Sequence, residues 1–502
     1  MANNYRIEVR VEIVKCEAEV TAVPTRQGDG QFVFTLSESQ ACDIDRCEQA
    51  LLRTNYEALR EALEHHLSTV SQEKALAVAG SMAEVQVKPY RVEGEVGRIV
   101  FDAHCVIGDG EVIYDTSTEL FPPLHAKEWY RTQGFKELAL VYGTVDDSYR
   151  KTSALLNRVR YQEEDGTPMR TLRDNTEYEG RHLLNYLNQQ ATDILQAQGF
   201  TTEGTPVAEA SYQTQALVAL PEEQVIQAIH ACAPKPELVT AMVNNPVSYE
   251  DPAHSTNIAI DDVGVKRQKA TRRGSAEASA PEQKRIHHTV ARIAQGAASY
   301  VVTGYGVVNV LRIVLAFLLH NDLLKNNLIF FVDGQRTLHA AILQAFAWFK
   351  AIRLILDWYH LEEKCKQLLS LALKGRAIRN EVLTALCPLL WCGCVEQAIA
   401  LLQTITADKI KDPAALENLI GYLMRNRPYI PCYAVRKRLG LPNSSQAGEK
   451  ANDLIVATRQ KHNGMSWSQR GSVALAAVTA MVRNREYRRW FQTQTLAFAF
   501  AA

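Results

Sequence analysis

The chain has 502 residues, 47% of them hydrophobic and 22% charged, with a formal net charge of −1 at pH 7. Such proportions describe an ordinary soluble protein of roughly two to four domains. They exclude any partner chosen by whole-molecule charge, so a nucleic-acid contact must rest on local basic patches.

Ten cysteines are scattered through the chain, most in apolar contexts, and read as reduced, buried thiols of a cytosolic protein. Cys387, Cys392 and Cys394 form the tightest set. Zinc binding is one reading of that set, but no fourth ligand stands at finger spacing, which favours core packing.

The N-terminus, MANNYRIEVRVEIV, alternates as a strand and lacks the shape of a signal peptide. Ile7, Val9, Val11 and Ile13 set that alternation, Gly28-Asp29-Gly30 makes a turn, and Phe32-Val33-Phe34 returns. A helix with Leu52, Tyr56, Leu59, Leu63 and Leu67 on one side follows, then further strands up to Pro122-Pro123. Residues 1–125 therefore read as an α+β domain without recognisable chemistry.

Residues 126–200 turn helical. Ser148 opens one helix and Thr167-Pro168 opens a second, with a good cap and proline at its first position. That spacing permits a helix-turn-helix presenting Arg170, Thr171, Arg173 and Asn175 to DNA, and equally a plain helical hairpin. Residues 201–255 read as a helical linker.

From 256 the pattern changes. Asn257–Val265 is a buried-type strand carrying Asp261-Asp262, with Lys266, Arg267, Lys269, Arg272 and Arg273 close behind it. HHTVARIA (287–294) and residues 298–303 are two more strands, and a helix spans about 308–325. Val301–Leu319 has membrane-like apolarity but is interrupted by Gly304, Gly306, Asn309 and Arg312, which fits a strand and a buried helix better than a span. Leu328–Val332 then stops at Asp333-Gly334, a helix follows, and Ile352–Leu356 stops at Asp357 before a further helix. A crossover of this kind makes the two strands parallel, so Asp333 and Asp357 leave the sheet at the same edge, where open α/β sheets place ligands.

Residues 371–435 are helical and Leu-rich, too long for a connection, and read as an insertion. Residues 436–490 complete the core, with a helix bearing Glu449, Arg459 and Lys461, then a basic C-terminal helix entered through Met465-Ser466-Trp467-Ser468. Residues 491–502 read as a tail.

Three antiparallel strands followed by parallel βαβ units form a ribonuclease-H-like order. The fold class expected is therefore multidomain α/β. A ribonuclease-H-like mixed sheet with helices on both faces and an all-helical insertion is preceded by an α+β N-terminal domain and a helical segment. Two strand-end acids and one later helical acid are what two-metal phosphoryl transfer requires, with oxygen ligands selecting Mg²⁺ or Mn²⁺.

Ile-Ala-Ile-Asp261-Asp262-Val, Phe-Val-Asp333-Gly334, Leu-Asp357-Trp-Tyr-His360-Leu, Gly448-Glu449 and Gly464-Met465-Ser466-Trp467-Ser468 occur in the order seen in bacterial DDE transposases of insertion sequences. Over about residues 250–490 the chain resembles that family. The resemblance implies Asp261, Asp333 and Glu449 as catalytic metal ligands for two Mg²⁺ (or Mn²⁺) ions, with Asp262, Asp357 and His360 in support. It implies Arg459, Lys461 and Trp467 near DNA, beside the basic run Lys266–Arg273. It also implies double-stranded DNA partners (terminal inverted repeats and target DNA), at least a homodimer on DNA, no membrane, and a bacterial cytoplasmic, nucleoid-associated location. The chain departs from the family in its Asp261-Asp262 pair, which leaves the first ligand open with Asp261 preferred, in the glycine before Glu449, and in lacking an N-terminal C-x-x-C ribbon.

Each motif also has a plainer reading. Asp333-Gly334 is a common turn at a strand end, Asp357 suits a helix N-cap, and His360 suits a carboxylate's partner. Glu449 suits the first turn of a helix. The alternatives to a transposase are a catalytically silent DNA-binding or scaffold descendant and a structure-selective nuclease of the same fold.

Overall fold

A computed structural model of the chain describes residues 25–26, 32–33, 35–37, 40, 42–79, 84–121, 130–145, 148–162, 166–207, 216–268, 284–461 and 465–501. The alternating strand expected at residues 7–13, the Gly28–Gly30 turn, and Lys269, Arg272, Arg273 and Gly464 lie outside them. The chain forms a mixed α/β protein with two mixed sheets, divided into two compact units.

The first unit comprises residues 1–139 and 149–172. Strands β1 (Thr25–Arg26) and β2 (Phe32–Val33) pair antiparallel. The helix Ile44–Val78 is started by Asp43, whose side chain accepts from the amides of Asp45 and Arg46. It packs on a four-stranded sheet built from β3 (Glu84–Gly94), β4 (Gly97–Gly108), β5 (Glu111–Asp115) and β6 (Tyr130–Arg131), in the order β5-β4-β3-β6. Ile99, Phe101 and Ala103 alternate along β4 and put one face in the core, as a half-buried strand requires.

The helix Tyr149–Val159 is anchored to the same unit by buried Arg160. Its guanidinium donates to the Gly94 carbonyl at 3.1 Å and to Thr167 Oγ1 at 2.6 Å, and Thr167 in turn donates to Glu93 at 2.7 Å. The turn before Met169 is thus held by buried charge-assisted bonds. The next helix, Met169–Ala197, runs for 29 residues. Asn175, expected on a DNA-reading face, is buried; Arg170 and Arg173 are exposed, and Arg173 pairs with Asp174 at 2.7 Å.

The second unit comprises residues 140–148 and 173–502. Its sheet contains β7 (Ser255–Lys266), β8 (Arg285–Gln295), β9 (Ala298–Gly304), β10 (Asn327–Val332) and β11 (Ile352–Leu356). The spatial order is β11-β10-β7-β8-β9. The β7-β8-β9 meander is antiparallel, while β10 runs parallel to both β7 and β11. β10 is buried along its whole length, as expected of a strand covered on both faces.

On one face Ile258, Ile260, Ala291 and Ile293 meet the helix Val307–His320, whose residues 313–318 are all buried. On the other, Ala259, Ile329, Phe331 and Ile355 form a second cluster, and the helix Gln446–Asn452 packs against β7 and β8. The insertion helices Arg376–Trp391, Val395–Gln403 and Pro413–Asn426 pack around the helix Trp358–Ala372.

Two segments read as peripheral belong to this unit. The helix Glu222–Cys232, in the expected linker, buries Ala228 and Ile229 against Cys392, Cys394, Cys432 and Val435, because its amphipathic face needs cover. Residues 491–502, expected as a tail, bury Leu496 and Phe498, and Glu486 accepts the amides of Ala497 and Phe498, each at 2.8 Å. The cysteine cluster is a packing element: Cys392 and Cys394 are buried there and Cys387 is half-buried. No described helix is long and apolar enough to cross a membrane.

One ion pair in the unit is wholly buried. Arg436 donates two 2.7 Å bonds to Glu250, with side-chain exposures of 0% and 1%, and also donates to the Pro442 carbonyl. It ties the segment before β7 to the turn that leads to Glu449. Removing one partner strands a buried charge, so Glu250→Ala should cost about 3–5 kcal/mol in urea unfolding. A loss below about 1 kcal/mol would show that the pair is dispensable.

Candidate metal site at the sheet edge

The register of the parallel strands determines the site. Phe331 pairs with Ala259 and Val332 with Leu356, so extending each pairing by one or two residues sets Asp261, Asp333 and Asp357 side by side. Matching pleats put all three on one face, with adjacent strands about 4.8 Å apart. Glu449 comes from the helix Gln446–Asn452, which reaches this face through Gly448. A Cβ at Gly448 would lie 2.6 Å from the Ala259 Cβ, two residues before Asp261. That close approach accounts for the glycine preceding Glu449.

Each carboxylate is treated differently. Asp357 is fully buried and caps the helix Trp358–Ala372. Its Oδ1 accepts from the His360 amide at 2.9 Å and from His360 Nδ1 at 3.1 Å. Its Oδ2 accepts from the Ser445 amide and from Ser445 Oγ, the latter at 3.2 Å. Burial works to raise its pKa, but the bonds from His360 and Ser445 outweigh it and hold the carboxyl below its ordinary range. A carboxylate has about four acceptor positions, and all of these are filled.

Among the described residues Asp333 accepts only the Gln335 amide, at 2.9 Å, in an Asx-turn. Gly334 next to it has φ +86° and leaves room for the Tyr422 hydroxyl, 2.5 Å from where a Cβ would stand. Tyr422 belongs to the insertion, is buried, and its hydroxyl has no hydrogen-bond partner among the described residues. Burial is the main reason its pKa rises, with the Asp333 charge adding to it.

Asp261 Oδ1 accepts the Asp262 amide at 2.8 Å and Oδ2 accepts Asn452 Nδ2 at 2.6 Å. Burial and then the Asp333 charge push its pKa up to about 6. Asp262 points to the opposite face, where Thr289 Oγ1 donates to it at 2.5 Å. Of the two acids, Asp261 shares the face of Asp333 and the Glu449 helix.

His360 stands among the acids. Its Nδ1 is 3.1 Å from Asp357 and 3.6 Å from Glu449. The hydrogen bond to Asp357 overcomes burial and, with the charges of Asp357, Glu449 and Asp333, raises its pKa to about 9. Asp357, His360 and Glu449 bring ligand atoms within 4.8 Å of one another and can hold a metal ion; this is the only such group of three among the described residues. The set Asp261, Asp333 and Glu449 is more open. Yet Asp357 has no acceptor position left, whereas Asp261 and Asp333 repel each other across adjacent strands. The acids with unspent capacity are therefore Asp261, Asp333 and Glu449, and Asp357 acts by positioning His360 and Ser445.

The DNA-facing roles expected of Arg459 and Trp467 are corrected by their burial. Arg459 is 3% exposed, donates to the Gly143 carbonyl at 3.3 Å and lies over the Trp467 ring at 5.4 Å. Trp467 is 8% exposed and donates from Nε1 to the Gln460 carbonyl at 3.2 Å. The cause is a π turn at Asp453–Ala457, which inserts one residue into the helix. In a straight helix Arg459 would sit sideways to Glu449; one extra residue turns it roughly 180° away, into the protein. Lys461 and Lys266 remain exposed.

The donor chemistry fits a hard divalent cation. Carboxylate oxygens predominate, two acids are held at repulsive range, and Asn452 Oδ1, beside Asp261, is a buried acceptor without a partner among the described residues. Comparison with protein-family models, with curated proteins and with solved structures finds no match to this chain.

Two outcomes follow from this geometry. The folded protein holds the Asp261 proton more tightly than the unfolded chain does. The associated stability is present below about pH 4 and is lost as pH rises through about 6. In EDTA at pH 8, Asp261→Asn should therefore stabilise the protein by about 1–3 kcal/mol in urea unfolding; destabilisation would contradict the repulsion. Gly448→Ala should cost about 1–3 kcal/mol through overpacking on Ala259. Adding Ala259→Gly should recover part of that loss, and strictly additive losses would place the contact elsewhere.

Proposed function

We propose that the chain is a DDE-type DNA transposase whose second unit is a ribonuclease-H-like catalytic core. The observation that carries this reading is the in-register pair Asp261 and Asp333 on adjacent parallel strands, with Glu449 delivered to the same face over Gly448. The strand order β11-β10-β7-β8-β9, with three antiparallel strands first and two parallel ones after, supports the ribonuclease-H-like assignment.

In this reading Asp261, Asp333 and Glu449 would hold two Mg²⁺ or Mn²⁺ ions. Such ions would activate the attacking hydroxyl and neutralise the charge developing on the phosphate. Asp357 keeps His360 oriented and protonated, and the imidazolium lends positive charge beside Glu449. The buried Asn452 amide fixes the direction of the Asp261 carboxylate. Lys266 and Lys461, both exposed, supply backbone contacts to double-stranded DNA. Pairing of two element ends calls for at least a dimer.

The test uses supercoiled plasmid carrying the DNA that flanks the coding sequence, incubated with the intact protein and Mg²⁺. Strand cleavage followed by joining to a target is expected. Asp333→Asn should reduce both by more than about 100-fold, beyond the loss typical of a residue that only orients a ligand. Asp357→Asn should fall within about 10–100-fold. Cleavage without joining would favour a structure-selective nuclease, and full activity of Asp333→Asn would remove this site from the chemistry.

A further inference from the structure

On the sheet face opposite Asp261 there is a cavity of about 210 Å³, lined among others by Asp262, Arg267, Arg285, His287, Tyr305 and Gln469. Three features converge on it. First, neither the Arg267 nor the Arg285 guanidinium forms an ion pair with a carboxylate among the described residues. Asp262, the one acid in the lining among the described residues, already accepts from Thr289, and two guanidiniums stand against it.

Second, Gly264 pairs with His287 across β7 and β8. A Cβ there would lie 3.3 Å from Arg285 Cδ and 3.7 Å from His287 Cε1. The glycine lets both side chains lie across the strand pair, the close approach for which strand glycines are kept.

Third, Gly306 and Val307 also line the cavity, and here the 14-residue helix Val307–His320 begins. Its N-cap is Gly306, at φ +83°, with no side-chain cap and open space where a Cβ would stand. The first amides of that helix carry the positive end of its dipole and have no capping oxygen. Uncapped amides, two guanidiniums without an ion pair among the described residues and an imidazole around one partly open volume match a tetrahedral oxyanion.

We propose that this cavity binds a backbone phosphate of the substrate DNA strand, holding the duplex against the sheet edge beside the acidic site. The proposal rests on the transposase reading. Consecutive residues of β7 serve both sites, so a strand gripped here is fixed relative to Asp261. Arg267 and Arg285 clamp the phosphate oxygens, the Val307 helix end donates from its amides, and Tyr305, 55% exposed, flanks the sugar.

Two measurements on the intact protein test this. Binding of a random-sequence DNA duplex is followed by fluorescence anisotropy over a range of salt, without divalent ions. Arg267→Gln and Arg285→Gln should each weaken binding roughly tenfold. Each should lower the slope of log affinity against log salt by about one, the signature of one lost phosphate contact. Arg379→Gln, on the insertion helix Arg376–Trp391, should change neither.

Separately, inorganic phosphate should shift the His287 ring resonances in NMR spectra of the native protein but not of Arg285→Gln. Unchanged affinity and slope in both arginine variants, with DNA still bound, would overturn the cavity while leaving the transposase reading intact. A phosphate-dependent His287 shift in a protein that binds no DNA would overturn DNA as the source and the functional reading with it. Absence of any His287 shift would overturn the anion site itself.

Discussion

Parallel register is the constraint from which the rest of the second unit follows. Once β10 pairs with β7 and β11 with β10, the residues just beyond Ala259, Phe331 and Leu356 must emerge together. β10 and β11 each stop just before an aspartate and β7 carries Asp261 at the matching level, so the fold concentrates negative charge at a half-buried edge where water screens it poorly. Each acid is relieved by a different device. Asp357 receives bonds from two backbone amides, a hydroxyl and a histidine. Asp333 is spent on one amide, and Asp261 carries the remaining strain as a raised pKa. Asp357 is fully satisfied, whereas Asp333 with one bond and Asp261 with two retain capacity for a cation.

The insertion shapes this edge. Tyr433 donates its hydroxyl to the Leu356 carbonyl at 2.7 Å, holding the end of β11, and its ring packs with Trp358 and Trp391. Asn443 donates to the Tyr433 carbonyl at 2.7 Å, and its own carbonyl accepts the Trp358 amide. The chain that leaves the insertion is thus stitched to the first turn of the Asp357 helix before it reaches Ser445 and Glu449. Rigid packing of this kind gives an acid on a separate helix a defined place relative to two strand ends.

Much of this was legible in sequence, for physical reasons. Short apolar runs that stop at aspartate identify β10 and β11, since a buried parallel strand has no polar face to confuse the period, and the apolar run before Asp261-Asp262 identifies β7. The signal failed where the period itself changes: the π turn at Asp453–Ala457 reversed the facing of Arg459, which no residue type announces. Asn175 and Thr167 looked like surface and cap residues, yet Asn175 is buried and Thr167 joins the buried Arg160 network, a placement set by distant partners such as Glu93. Tyr422 and Asn452 give no sequence signal, because a tyrosine in a Leu-rich insertion and an asparagine three residues after Glu449 carry no motif. Gly448 was visible as a departure, and its cause needed the 2.6 Å approach to Ala259.

The same strand shows why two adjacent aspartates need not be redundant. Side chains of β7 alternate between faces, so Asp261 and Asp262 serve different environments although their Cα atoms are neighbours. Towards one face, Gly448 admits a helix and brings Glu449 and Asn452 to Asp261. Towards the other, Gly264 admits Arg285 and His287 to the cavity that Asp262 lines. A carboxylate cluster and a cationic cavity on opposite faces of one strand end would repel or attract indiscriminately if they shared a side. Separated by the sheet, the acids can gather cations while the arginines gather a phosphate, and the stiffness of β7 fixes the offset between them. That division of labour depends on the period of two, and a one-residue slip of β7 would exchange the two acids and dissolve both sites.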